Sequence, residues 1–174
     1  MTDNLRTSTD IRPGSYVVDA ARSTVRFTAT HVFGLKPVDG TMAVRSGTVV
    51  VADEPRCSTV SAELDAGSFT TDDERRNRDV RGKNFLDAEH HPTIGFRSTR
   101  VVHGSGGWQI IGVLSVRGGS GEVTLNLTGI EPTVDGYRFT ATTTVDRVAA
   151  GVRTGRFIVG RYLDVTISLC VTAD

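Results

Sequence analysis

This chain reads as an all-β domain: about eight antiparallel strands closed into a barrel, with one short helical crossing at about residues 71–90. Three features support that reading. Short runs alternate apolar with polar residues, the period of a strand with one buried face. Turn residues such as Gly34, Asp39-Gly40 and Asp135-Gly136 separate the runs. Only residues 71–92 form a long stretch without alternation. A β-sandwich fits the alternation as well. Closure into a barrel is preferred because it leaves no strand edge exposed.

Residues 1–13 are polar and read as a flexible tail; residues 14–174 read as one domain. The chain turns β from Tyr16. Val25, Phe27, Ala29 and His31 then form an apolar row against Thr24, Arg26, Thr28 and Thr30. Residues 42–52 form the next strand, with a bulge near Ser46-Gly47. Ser58, Val60, Ala62 and Leu64 form another row. After the crossing, Ile94 and Phe96 resume one face. Hairpin turns follow at 103–107, 117–121 and 132–136. Between them run Trp108, Ile110, Gly112, Leu114 and Val116, then Val123, Leu125 and Leu127. Tyr137, Phe139, Ala141, Thr143 and Val145 come next. The loop 146–161 leads to a last strand with Leu163, Val165, Ile167, Leu169 and Val171 inward and Cys170 outward.

The crossing has its own signals. Thr71 and Glu74 are spaced as a capping box. Asp72, Asp73 and Glu74 suit the positive end of a helix dipole. Asp72 with Arg76, and Glu74 with Arg78, are acid-then-base pairs four apart. Gly82 is a stop. Val80 is the helix's only large aliphatic, so it belongs on a surface or a rim. Phe85 and Leu86 then dip inward, and Pro92 ends the irregular part.

Composition narrows the function classes. Lysine plus arginine and aspartate plus glutamate both number 20, so no net field favours nucleic acid. Cys57 and Cys170 are expected as unpaired, mostly buried thiols, with a disulfide between them left open. The polar N-terminus is not a signal peptide, and no run reaches transmembrane length. A cytoplasmic protein without stable membrane insertion is therefore expected. No GxSxG or HExxH motif occurs. His90-His91, beside Glu89 and Asp87, reads as turn decoration rather than a metal site. No catalytic residue, metal or cofactor is expected. His31, at the end of an apolar row, reads either as a structural histidine or as a hydrogen-bond partner for a ligand head group.

The inward rows pose the main question. An eight-stranded barrel is filled by its own side chains or holds one ligand. Large inward residues favour filling; Ala29, Ala62, Gly112 and Ala141 among them favour space.

These residues, in this order, resemble the YceI-like family of lipocalin-like, polyisoprenoid-binding proteins. Asp19, Ser23, Val25, Phe27 and His31 match the family's opening strand, and Val38-Asp39-Gly40 its glycine-ended turn. Thr71, Arg76, Arg81, Phe85-Leu86-Asp87, His91-Pro92, Phe96 and Ser98 match its crossing; Asp146-Arg147 and Gly151 match a later motif. Departures gather at the crossing and loops. Arg76-Asn77 and Asp79-Val80 stand for Arg-Asp and His-Leu, Arg22 for a histidine, and Ala150 for an aromatic.

The resemblance implies a barrel with an apolar tunnel that takes an isoprenoid tail, polyprenyl or quinone-like, without enzymatic activity. The tunnel-lining candidates are Val25, Phe27, Phe85, Ile94, Phe96 and Ile110, with Leu114, Leu125, Leu127, Phe139, Val165 and Ile167. The polar-rim candidates are His31, Arg76, Arg81 and Arg147. Relatives commonly pair, which makes a homodimer a candidate assembly. Two alternatives stay open: an enzyme for a lipid-like substrate with His31 as acid or base, and a packed stress-associated domain with no internal ligand.

Overall fold

In a computed structural model, the backbone is described for residues 11–31, 37–150 and 159–174; the side chains of residues 30, 31 and 159–161 lie outside the described set. The strands are β1 (Gly14–Val18), β2 (Thr24–His31), β3 (Pro37–Val51), β4 (Thr59–Asp65), β5 (Thr70–Thr71), β6 (Thr93–Gly104), β7 (Gly107–Val116), β8 (Gly119–Pro132), β9 (Gly136–Asp146) and β10 (Val159–Ala173). One helix, α1 (Glu74–Arg81), lies between β5 and β6. Each strand pairs antiparallel with its neighbours in the order β10-β2-β3-β4-β6-β7-β8-β9, and β9 returns to β10. The result is a closed eight-stranded antiparallel barrel.

Two short strands lie outside that circuit, and unequal strand lengths explain the first. β3 and β10 have 15 residues each, whereas β2 between them has 8. β1 pairs with the stretches left over, Val18↔Val171 on one side and Tyr16↔Val49 on the other. β5 pairs with β3 at Gly40↔Thr71 and Thr41↔Thr70.

The inner face follows from the register. Val25 lies opposite Ile167, Ile167 opposite Ala141, and Ala141 opposite Leu127. Leu125 lies opposite Ile110, Phe96 opposite Leu114, and Leu64 opposite Ile94. Directly opposed residues share a face, so the apolar rows meet around one lumen. The expected bulge in β3 is present, as a register shift between Val44 and Ser46.

Several local expectations need correction. Asp39-Gly40 makes no turn: β3 starts at Pro37 and runs through both residues. Gly40 lies opposite Phe27, whose ring rests where a Cβ would be; a methyl there would also come within 2.8 Å of Thr70 O. Glycine is needed for close approach rather than for a turn. The helix is capped by Asp73, not by Thr71: the Asp73 carboxylate accepts from the amides of Arg75 and Arg76 at 3.0 and 3.2 Å. Thr71 is held in β5 instead. Arg76 pairs with Asp72 at 3.4 Å as expected, but Glu74 approaches Arg81, at 3.9 Å, rather than Arg78. Cys57 is exposed on a short 3-10 turn, and Cys170 is buried beside Ser23; both are free. Cys170 points outward yet is covered by the segment that links β1 to β2, whose backbone Asp19 N–H donates to Cys170 O at 2.8 Å.

The closing seam depends on Gly136. A methyl group there would collide with the carbonyl oxygen of Val171 on β10. Gly136→Ala is expected to lower stability by about 1–3 kcal/mol, the usual effect of forcing extra volume into a packed site. Urea denaturation checks this; an unchanged midpoint would show that the seam gives way freely.

Candidate functional site

The chain leaves the barrel after Asp65 and returns at Thr93, and these two residues lie directly opposite each other. Ala66 N–H donates to Pro92 O at 2.9 Å, tying the excursion at its neck. Residues 66–92 therefore form a lid over one barrel end. The same end carries the β7–β8 turn, the end of β9 and the end of β2. The other end carries β1 and the β6–β7 and β8–β9 turns.

The lid packs on the barrel through Ala66, Phe69 and Leu86, is tied to it by the β5–β3 pairing, and is braced internally by polar contacts. Asn77, 1% exposed, is the centre. Its Oδ1 accepts from Thr71 N–H and Thr71 Oγ1, both at 2.7 Å, and its Nδ2 donates to Thr71 O at 3.2 Å. Arg81 donates from Nε and Nη2 to Phe69 O and from Nη2 to Thr70 Oγ1. Arg117, from the β7–β8 turn, donates to Phe85 O at 2.9 Å. The segment after α1 folds back on the helix end: Leu86 N–H donates to Val80 O and Ala88 N–H to Arg81 O, both at 2.9 Å. Carbonyls that a helix end leaves orphaned are thereby satisfied.

Asp87 turns this segment with φ of 48°, a left-handed conformation that aspartate tolerates better than most residues. Its carboxylate meets His90 Nδ1 at 2.9 Å. The hydrogen bond to His90 holds the Asp87 pKa below its ordinary value, and the same bond raises that of His90.

The apolar interior falls into two packed groups. The lid group joins Leu86, Phe69, Met42, Phe27, Ile94, Val116 and Ala150, with Phe85, Val80, Leu114 and Val165 against it. The opposite group joins Tyr16, Val18, Val25, Val44, Val49 and Val171, with Phe139, Ile167 and Leu169 against it, and Leu64 and Val165 pack against both groups. Phe96, Ile110, Leu125 and Leu127 belong to neither group. They face the lumen by register and are half-buried rather than buried. Leu114, Phe139, Val165 and Ile167 are half-buried too, whereas Val25, Phe27 and Ile94 are buried.

The polar-rim candidates all lie at the lid end. Arg76 and Arg81 sit on α1 at the lid end, and both are engaged by the protein: Arg76 by Asp72 and Asp73, Arg81 by the carbonyl of Phe69. Arg147 follows β9 at the same end and is 6% exposed. The His31 backbone pairs with Val159, also at this end, but its side chain lies outside the described residues. Among the described residues, no three His, Cys, Asp or Glu side chains converge as a metal site would need. Two residues that position the lid carried little sequence signal. Asn77 stood out only as a departure from a family motif, and Arg117 lay in what read as an ordinary turn.

A model of the YceI-like domain matches residues 16–173. The chain belongs to the YceI-like domain family. A UPF0312 protein of Yersinia pestis (strain Pestoides F) is 34% identical over 77 residues, which cover 43% of this chain and 40% of the relative. The chain thus spans about two fifths of the length of the curated relatives it matches. Among solved structures, BcnA of Burkholderia cenocepacia aligns with a TM-score of 0.74 at 23% identity, covering 90% of this chain and 99% of that one. A polyisoprenoid binding domain from Saccharophagus degradans, implicated in plant cell wall breakdown, aligns at 0.62 with 12% identity, covering 94% and 100%. The YCEI protein of Campylobacter jejuni aligns at 0.58 with 14% identity, covering 75% and 82%. At these identities the likeness is one of fold, a closed eight-stranded antiparallel barrel with one short helix.

Two predictions concern the lid of this YceI-like barrel. Asn77→Ala leaves the Thr71 amide without its acceptor and the Thr71 hydroxyl with only Asp73 O, and is expected to destabilise by about 1–3 kcal/mol, read from the thermal or denaturant midpoint. Asn77→Asp keeps the acceptor for Thr71 but loses the donations to Thr71 O and Glu74 Oε2 and sets two carboxylates against each other, so it too should destabilise. The second concerns pH. A histidine whose pKa is raised by folding stabilises below its unfolded value of about 6.5 and loses that contribution as pH rises through the raised value. Asp87, lowered, contributes above its unfolded value of about 3.9 and loses it only as acid reaches the lowered one. The pair therefore supports the lid at mildly acidic pH, and that support is lost as pH rises through the raised His90 value. Amides of residues 82–92 should exchange faster at pH 8 than at pH 6 after correction for intrinsic rates, and Asp87→Asn should remove the difference.

Proposed function

We propose that the barrel binds a long isoprenoid lipid, polyprenyl or quinone-like, in an apolar tunnel, and stores or carries it without chemical change. One observation carries the reading. Phe96, Ile110, Leu125 and Leu127 point into a closed barrel, belong to neither packed group and remain half-buried. Inward apolar residues of a barrel filled by its own side chains would be buried, because interiors pack at crystal-like density. Partial exposure there supports a passage between the two packed ends. The resemblance in fold to a polyisoprenoid binding domain points the same way.

The energetics suit a chain-like apolar ligand. Each CH₂ removed from water contributes about 0.8 kcal/mol, so a five-carbon isoprene unit contributes roughly 4 kcal/mol before losses. Ordering the chain offsets part of this. The tail would set affinity. Head-group choice would fall to the lid end, where Arg76, Arg81, Arg147 and the end of β2 at His31 gather. Phe27, Phe85 and Ile94 lie in the lid group and would contact the ligand where the tunnel meets the lid.

Delipidated protein titrated with a polyprenol, an isoprenoid quinone and a straight-chain alcohol should bind the isoprenoids saturably. Saturable binding of none of them would end the proposal. Leu125→Asp should weaken uptake by more than about tenfold, equivalent to 1.4 kcal/mol, while outward-facing Arg100→Ala changes it little. Equal losses from both substitutions would argue against a tunnel.

A further inference from the structure

Two phenylalanine rings lie against wall glycines. Phe27 rests on Gly40, and Phe96 rests on Gly112, where a methyl group would come within 2.6 Å of Phe96 Cζ and 2.7 Å of Cε2. The two rings differ on their other faces. Phe27 stacks on Phe69 with centroids 5.0 Å apart, is 8% exposed and belongs to the lid group. Phe96 is half-buried and belongs to neither packed group, and among the described residues no aromatic ring packs on it. Phe27 is thus fixed from both sides, whereas Phe96 has the wall on one side and the lumen on the other.

An eight-stranded barrel is just wide enough for inward side chains to fill it or for one small ligand to enter. Around the ring, Ala62 lies opposite Phe96 on β4, Leu114 lies opposite it on β7, and Gly112, the next inward position of β7, leaves the space the ring occupies. A phenyl ring standing across such a bore would close it; laid on a glycine, it leaves a passage. From this we infer that Phe96, seated on Gly112, sets the bore of the tunnel and so restricts the ligand to a single unfused chain, excluding fused-ring lipids. The inference rests on the proposed isoprenoid reading and names the residue pair that decides ligand cross-section.

The test uses a long polyprenol and cholesterol as probes, with wild type, Phe96→Leu, Phe96→Ala and Phe96→Trp, each checked for β-sheet content by circular dichroism. Wild type should prefer the polyprenol. Phe96→Leu and Phe96→Ala should admit cholesterol and shift the polyprenol-to-cholesterol affinity ratio by about tenfold or more, the scale on which pocket volume discriminates. Phe96→Trp should weaken polyprenol binding by a similar factor. Gly112→Ala should act like Phe96→Trp by lifting the ring. It also collides with Arg97 O on β6, so the Phe96 series decides the matter if that variant does not fold. If wild type binds polyprenol but the ratio stays constant across the Phe96 variants, the bore assignment is overturned and the binding reading stands. If wild type binds no isoprenoid, the binding reading falls and takes this inference with it.

Discussion

Closure of the hydrogen-bond ladder on both sides of β10 is the constraint from which the remaining features follow. β10 pairs with β9 through eleven registered positions, Tyr162↔Asp146 to Thr172↔Gly136, and with β2 over a shorter stretch. A closed ladder satisfies every strand edge internally and leaves no template for further pairing. Because β2 is about half as long as its two neighbours, closure alone would leave parts of β3 and β10 unpaired. β1 fills that gap, and its Tyr16 and Val18 supply the apolar stopper of that end. One short strand thus completes the ladder and closes the lumen together.

The two ends are closed by different physics. The β1 end is sealed by aliphatic packing around Val171, 0% exposed, and by the Tyr16–Tyr137 edge contact with ring centroids 5.6 Å apart. Arg22 then bridges Asp19 and Asp135 across the outside, an exposed pair of the kind that contributes little. The lid end is also apolar below, at Leu86 and Phe69, but its helix is fastened by Asn77, Arg81 and Arg117 to backbone carbonyls and a threonine. Directional bonds thus brace the helix within the lid, while apolar packing at Phe69 and Leu86 seats the lid on the barrel.

Between the ends, the wall glycines give aromatic rings somewhere to lie. Gly40 and Gly112 would be poor strand residues judged by propensity alone. Each is explained by the ring that covers it, and each ring lies along the wall instead of across the lumen. In the proposed passage, large inward side chains would be balanced by missing ones on neighbouring strands.

Although barrel and sandwich fitted the alternation equally, strand periodicity, turn residues and the one stretch lacking alternation were enough to read an all-β domain, the lid's place in the chain and the inward rows from Val25 to Ile167. These are local properties: each residue's face follows from its parity within a strand. Three matters had no local signature. Asp73, not Thr71, caps α1, because Thr71 is drawn into pairing with β3 and into bonds with Asn77. Asp39-Gly40 continues a strand instead of turning, because Phe27 on the neighbouring strand needs the space above Gly40. Arg81, which read as a rim cation, is held to Phe69 O, a partner 12 residues back in the chain. In each case the deciding partner sits on another element. The pattern along a chain sets which way a side chain points, but what it meets there depends on how the strands close.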